Sequence, residues 1–278
     1  MDQCPPISIV TPSLNQGDFI EETIRSVLSQ DYPHMGYAVI DGGSTDHTLK
    51  ILTKYSDKIK WISTRDRGQA AAINQGLLQR VGGLYVGWLN SDDLLLPGGL
   101  RSMALFLDHH PEYVAAFGKA YIINEAGTVI GEYLTRPFSK RSFAVRCTIC
   151  QPASLIRRWA WDAVGGLDES IDACMDYDLW WRLSEIGRMG HLERFVACTR
   201  DHPHSKTRTQ RKKVNEEAIA ILLRHRGMVP RNWCMANILE GLVDCRHNTY
   251  LGRRWEAIRR YVLINKWKAL LPQNWLLS

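Results

Sequence analysis

Four short apolar runs constrain this chain most: ISIVT (7–11), YAVID (37–41), KIKWIS (58–63) and LYVGWLN (84–90). Each is short, rich in β-branched or aromatic residues and followed by a polar stretch, so each reads as a buried strand. Segments of helical period separate them. In IEETIRSVLSQ the apolar residues Ile20, Ile24, Val27 and Leu28 share one face. HTLKILTKY follows the second run, with Ser44 or Thr45 as its predicted cap. QAAAINQGLLQRV follows the third. LPGGLRSMALFLDHH follows the fourth, with Pro97 near its start, where a locked φ is tolerated. Strand and helix alternating at this spacing build βαβ units. The expected fold is α/β, a mostly parallel sheet with helices on both faces.

In such a sheet, ligands bind beyond the carboxyl ends of the strands. SLNQG, DGGSTD, TRDRG and NSDD all follow predicted strands, so they converge on one rim and bring Asp41, Asp46, Asp66, Asp92 and Asp93 with them. The last of these loops raises a question. Asp92 and Asp93 repel each other, and burying either one unpaired is costly. A turn built from Asn90, Ser91 and Asp92 is one explanation. A hard cation held by oxygen ligands, Mg²⁺ or Mn²⁺, is the other. The chain has no GxxxxGK[ST] and no GxGxxG after its first strand, which argues against a P-loop enzyme and a dinucleotide dehydrogenase.

The middle of the chain reads as shorter strands, YVAAFG, AYIIN and TVIGEYL, with a hairpin at EAG and a further strand at QPASLIR. RRWAWDAVGGLDE reads as a helix ending at Gly165-Gly166. DYDLWWRLSEIG is a strong helix with Leu179, Leu183 and Ile186 on one face. Seven scattered cysteines do not form a disulfide framework and point to a reducing, cytoplasmic setting. Cys147 and Cys150 form a CxxC that reads as core cysteines, since no second Cys or His pair accompanies it. The opening MDQCPPISIV has no signal-peptide pattern, and no apolar run approaches the roughly 20 residues that span a bilayer.

ISIVTPSLNQGDFIEETIRSVLSQDYP, VIDGGSTDHTLKIL, DRGQAAAINQGL, GLYVGWLNSDDLLLPGGL and ACMDYDLWWRLSEIG come in one order and cover about residues 7–207. Together they resemble the family 2 glycosyltransferases of GT-A fold, most of all bacterial enzymes of O-antigen and other surface-polysaccharide synthesis. The resemblance implies a GT-A catalytic domain over 1–205, with a nucleotide-sugar half to about 110 and an acceptor half beyond. It implies a nucleotide-diphosphate sugar as donor, with Mn²⁺ or Mg²⁺ on the diphosphate. UDP is the default nucleotide, with GDP and dTDP open because Gly42 stands where relatives often carry a second acid.

By the same resemblance Thr11, Pro12, Ser13, Asp41 and Asp66 line the nucleotide pocket. Arg67 either faces phosphate or is a solvated cation. Asp92 matches the metal-ligating acid of the family's D-x-D. Asn90 and Ser91 stand at its first two positions, so one acid is missing. Asp93 matches a further acid that supports the loop. Asp176 matches the general base, while Asp178 points elsewhere on its helix. His202 matches a histidine near the diphosphate. One base opposite one metal implies a single displacement with inversion. A sugar-nucleotide pyrophosphorylase is the alternative enzyme, but SLNQGDF lacks the cation it would want. A non-catalytic nucleotide-sugar-binding protein is the other alternative.

Net charge is +6, but fifteen Lys and Arg face only five Asp and Glu from Lys206 onward, leaving the preceding part near −4. The segment 206–278 reads as a basic helical extension. Within it, GRRWEAIRRYVLINKWKALLP alternates Trp255, Ile258 and Val262 with Arg253, Arg254, Arg259 and Arg260. Such a helix either lies on an anionic membrane surface or packs on protein. The first reading fits an acceptor on a lipid diphosphate and a peripheral place on the inner membrane face. The basic patch carries no nucleic-acid motif, so no nucleic-acid partner is expected.

Overall fold

The computed structural model describes residues 4–65, 68–79 and 82–236. The chain divides into two compact units, Met1–Thr209 and Gln210–Ser278. The first begins with strand β1 (Ile7–Ser13), helix α1 (Ile20–Leu28), β2 (Met35–Asp41), α2 (Thr48–Lys54), β3 (Lys60–Ser63), α3 (Gln69–Gln79) and β4 (Tyr85–Trp88). All four expected strands and the helices between them are present. β2 and β4 flank β1 in parallel, and β3 adds to β2 in parallel. Their carboxyl ends therefore share one edge, as the loop argument required.

The rest of this unit contains β5 (Leu94–Leu95), α4 (Gly99–His109), β6 (Tyr113–Ile123), β7 (Val129–Glu132), α5 (Lys140–Val145), a 3-10 turn at Gln151–Ala153 and β8 (Ser154–Arg157). It closes with α6 (Arg158–Ala163), α7 (Met175–Ile186), β9 (Arg188–Arg200) and α8 (Lys206–Thr209). One nine-stranded sheet runs β3-β2-β1-β4-β8-β6-β9-β5, with β7 paired to β6. Parallel pairing covers β1 to β4 and recurs between β6 and β9. β8 joins the halves antiparallel on both sides. The sheet is thus mixed α/β, with its parallel part where the rim lies.

Alternation along β1 explains why helices cover both faces. Ile7 and Ile9 join Ile20, Ile24, Leu52, Leu100 and Leu107 in one core, so α1, α2 and α4 cover that face. Val10 faces the other way. A Cβ added to Gly76 of α3 would lie 2.7 Å from Val10 Cγ1 and 3.0 Å from Ile40 Cγ1, so α3 packs there at close range. Trp88 extends that second face, stacked on Trp180 of α7 with ring centroids 6.2 Å apart.

Three local expectations change. The sequence suggests two strands around Gly118, but β6 runs unbroken through it, because Gly118 lets β9 come close. α2 is not capped by Ser44 or Thr45. Asp46 Oδ1 accepts from Thr48 N at 2.9 Å instead, while Ser44 turns back onto Asp41. Leu179 and Leu183 are buried as expected, but Ile186 at the end of α7 is exposed. The hairpin at EAG forms between β6 and β7, with Gly127 at φ +79°. In the second unit, α9 (Arg211–Arg226) ends at Gly227 in the left-handed region. The basic helix expected over 252–272 lies outside the described residues, as do Asp66 and Arg67.

A Cβ at position 118 would meet the Arg194 carbonyl oxygen at 2.8 Å. Gly118→Ala is therefore expected to lose about 1–3 kcal/mol in urea unfolding, from overpacking against backbone.

Candidate active site

The NSDD loop is a tight turn, with Asp93 N donating to Asn90 O at 3.1 Å. Asp93 is buried. Its Oδ1 accepts from Arg200 N at 2.9 Å, and Asn90 Nδ2 donates to its Oδ2 at 3.3 Å. Burial, and then the charge of Asp92 next to it, push the Asp93 carboxyl well above the usual range. Asp92 is the more accessible acid. Its Oδ2 lies 3.1 Å from His202 Nε2, with the Asp92 side chain 21% exposed and His202 2%. His202 Nδ1 is buried with no hydrogen-bond partner among the described residues.

Arg200 holds this arrangement. Its Nε donates to Asp92 O at 2.8 Å, its Nη1 to Glu125 O at 2.7 Å, and its Nη2 meets Glu22 Oε2 at 2.6 Å. Its guanidinium also lies 5.0 Å from the Phe19 ring centroid. Thr23 Oγ1 bonds Ser91 O at 3.0 Å and Asp93 O at 2.8 Å from α1. The turn is thus clamped by the start of α1 and the end of β9, which pairs antiparallel with β5 directly after it.

The other rim residues fall into two groups. Asp41 is fully buried, and its oxygens accept from Gly43 N, Ser44 N, Ser44 Oγ and Ser63 Oγ at 2.5–3.1 Å. Its carboxylate shapes the DGGSTD loop. Thr11 is buried and shares a 3.0 Å hydrogen bond with Tyr37 Oη. Pro12 and Ser13 are buried at the end of β1, where Ser13 Oγ has no partner among the described residues. Asn90 Oδ1 accepts from Gln69 Nε2 at 2.8 Å. Lys206 extends this chain. Its Nζ donates to Gln69 Oε1 at 3.1 Å and to Asp172 Oδ1 at 2.6 Å.

Asp176 opens α7. It is half-buried, and Tyr177 N donates to its Oδ1 at 2.8 Å. Burial raises its pKa to about 6. Asp178 is buried, and Arg182 Nε donates to its Oδ2 at 2.7 Å. Cys147 and Cys150 are free thiols, the first half-buried and the second buried. Burial raises the Cys150 thiol, and the charges of Asp93 and Asp176 both raise it further, so Cys150 lies within electrostatic reach of both acids.

Sequence reading brought Asp92, Asn90 and His202 to the right edge but missed Arg200, Thr23, Gln69 and Lys206. An arginine closing an otherwise apolar strand, FVACTR, was the available signal for Arg200. Nothing local in the sequence marks the other three.

Among the described residues no cluster of three or more His, Cys, Asp and Glu is arranged to hold a metal ion, and no helix is long and apolar enough to cross a membrane. Asp92 and His202 supply two protein ligands at most. That fits Mg²⁺ or Mn²⁺, which takes its remaining ligands from water and substrate phosphate.

This fold belongs to the α/β class, and comparison with known proteins gives the family. The profile of glycosyl transferase family 2 matches residues 8–153, and the chain belongs to that family. It is 28% identical over 200 residues to the chondroitin synthase of Escherichia coli, a match covering 70% of this chain and 29% of that protein. The chain thus spans less than a third of that relative. TarS from S. aureus, solved in complex with UDP, aligns with a TM-score of 0.60 at 19% identity, over 84% of this chain and 70% of that one. The Pyrobaculum calidifontis mannosyltransferase PcManGT, solved with GDP-Man and Mn²⁺, aligns with a TM-score of 0.64 at 16% identity, over 99% and 83%. At these identities the two structures speak for the fold.

Arg200→Met removes the donors to three backbone carbonyls and leaves Glu22 without its cation. Chemical denaturation is expected to show a loss of about 2–4 kcal/mol.

Proposed function

We propose that the chain transfers a sugar, with inversion, from a nucleotide-diphosphate donor to a saccharide acceptor in the synthesis of a bacterial surface polysaccharide. The observation that carries this reading is the presence of two acids in unlike environments. Asp92 is accessible and faces His202. Asp176 is half-buried with its pKa raised to about 6. A base with that value is ionised near neutral pH yet still takes up a proton readily.

Asp92 and His202 would hold Mg²⁺ or Mn²⁺. When bound, such an ion neutralises charge growing on the departing diphosphate. Thr11, Pro12 and Ser13 form the floor beneath the nucleotide, and the loop shaped by Asp41 forms its wall. Asp66 and Arg67 complete that wall in this reading. Asn90, Ser91 and Asp93 hold Asp92 in place. Asp176 accepts the proton of the attacking acceptor hydroxyl, which reaches the sugar carbon from the face opposite the diphosphate. The catalytic domain is 1–205, with the donor half to about 110, and 206–278 is a basic extension that meets an anionic membrane surface bearing a lipid-linked acceptor. The chondroitin synthase relative supports polymer synthesis, and the UDP and GDP-Man complexes support a nucleotide-sugar donor.

A panel of UDP, GDP and dTDP sugars with Mn²⁺ is expected to raise the melting temperature for one nucleotide. Silence from all three would sink the reading. Asp92→Ala is expected to abolish the metal-dependent part of that rise.

Asp176→Asn is expected to keep donor binding and lose transfer. Its stability provides a second, independent readout. A carboxyl raised from an unfolded value near 3.8 to about 6 costs the native state nothing below the lower value. The cost grows between the two and is constant above. Asp176→Asn should therefore be more stable than the parent by about 1–3 kcal/mol above pH 6, and equal to it near pH 3. Transfer by the parent should fall as pH drops through about 6.

For the tail, flotation with liposomes should require anionic lipid. Equal flotation on neutral liposomes would remove the membrane contact.

A further inference from the structure

Away from the rim, between β7 and β8, lies a pocket of about 440 Å³ lined by Leu134, Arg136, Ser139, Arg141, Ser142, Val145, Arg146 and Thr148. Three of these residues are arginines, and among the described residues none of the three forms an ion pair. Glu185, the acid that meets α5, is held by Lys140 at 2.7 Å. Three unopposed guanidiniums around one concavity repel one another, and an anion between them relieves that repulsion. A second feature also points to a ligand. Thr148 is 2% exposed, lines the pocket, and among the described residues its Oγ1 has no hydrogen-bond partner. A buried hydroxyl without a partner is costly unless something brought into the pocket satisfies it.

The pocket abuts the proposed base. Tyr177, next in sequence to Asp176, donates from Oη to Phe143 O of α5 at 3.0 Å, and the two rings lie 4.9 Å apart. α5 carries Arg141, and Arg146 is its C-terminal cap. On the other side Tyr133 Oη donates to Cys147 O at 3.3 Å, one residue before Thr148. Leu134 and Val145, both exposed, give the pocket an apolar wall beside its cations. Cations on one side and an apolar wall on the other suit a sugar ring that carries an acidic substituent.

We propose that this pocket is an acceptor subsite that binds an oxyanion, carboxylate or phosphate, carried by the acceptor saccharide. Arg136, Arg141 and Arg146 supply the charge, and Thr148 supplies a hydroxyl. The acceptor role rests on the transferase reading above; the oxyanion site itself does not. Gripping the acidic group here leaves a neighbouring hydroxyl at Asp176, so the acceptor is selected by charge as well as by shape.

Ligand-observed saturation-transfer NMR on the full chain at low salt tests this with three probes. They are methyl glucuronide, methyl glucoside 6-phosphate and the neutral methyl glucoside. One charged probe is expected to bind about tenfold more tightly than the neutral one. The winner tells a uronic acid from a phosphate-bearing acceptor. The double variant Arg141→Ala/Arg146→Ala is expected to reduce its binding to the neutral level. The corresponding lysine pair should restore part of it. Because both arginines are exposed, neither replacement opens the core. Equal binding of the neutral glycoside, or undiminished binding by the double variant, would overturn the proposal. The nucleotide panel separates the two readings. Nucleotide stabilisation without charge selection overturns only the subsite. Charge selection through these arginines without any nucleotide response supports the oxyanion site and overturns the transferase reading.

Discussion

The rim of this protein depends on Arg200. One guanidinium reaches the backbone of the NSDD turn, the backbone of the β6–β7 hairpin and a carboxylate on α1, and its own amide reaches Asp93. These segments are far apart in sequence. A rigid planar group with five donors can satisfy several acceptors at once, which a flexible ammonium does poorly. Without it, the Asp92 carbonyl would lose its side-chain donor, and Asp92 would ride on a less supported turn. The accessible acid can face outward because its neighbour is tied inward.

That division answers why two carboxylates stand side by side at the end of a core strand. They do not share one task. Asp93 is desolvated and used by the fold, and its proton affinity is raised by burial and by Asp92. Asp92 stays where solvent and His202 reach it. Asn90, where the family resemblance leads one to expect an acid, sits between Gln69 and Asp93 as both acceptor and donor. A carboxylate in its place would add a third negative charge and lose the donor to Asp93. The neutral amide suits a loop already burdened with charge, and it ties the turn through Gln69 to Lys206 and Asp172.

The acceptor side follows a different principle. Aromatic packing, not a charge network, positions α7: Trp180 stacks on Trp88, and Tyr177 and Trp181 meet Phe143. This large apolar mass partly buries Asp176 at the helix start, which raises its pKa. The same packing brings α5 and its arginines next to the base. A charged region thus sits on a wall rich in aromatic packing, and the raised pKa of the acid is a consequence of its burial there.

The sequence by itself determined the sheet's first four strands, their helices and the edge where the acid-bearing loops meet. These follow from periodicity and connection length, which are local and additive. It also marked Asp92, His202 and Asp176 through the resemblance to family 2 glycosyltransferases. It left undecided whether Gly118 breaks a strand, which residue caps α2, and what Asp41 does with its carboxylate. Two of these depend on a partner distant in sequence, the Arg194 carbonyl against Gly118 and Ser63 against Asp41, and the cap is settled by a local choice among Ser44, Thr45 and Asp46 that only the folded loop makes. Arg200 and the arginine pocket belong to the same class. A side chain's charge is written in the sequence, but whether it clamps three loops or stands unopposed beside a cavity depends on which neighbours the folded chain brings within hydrogen-bond range. Tertiary structure alone decided that, because the desolvation and pairing that set each group's role exist only after the chain has closed around it.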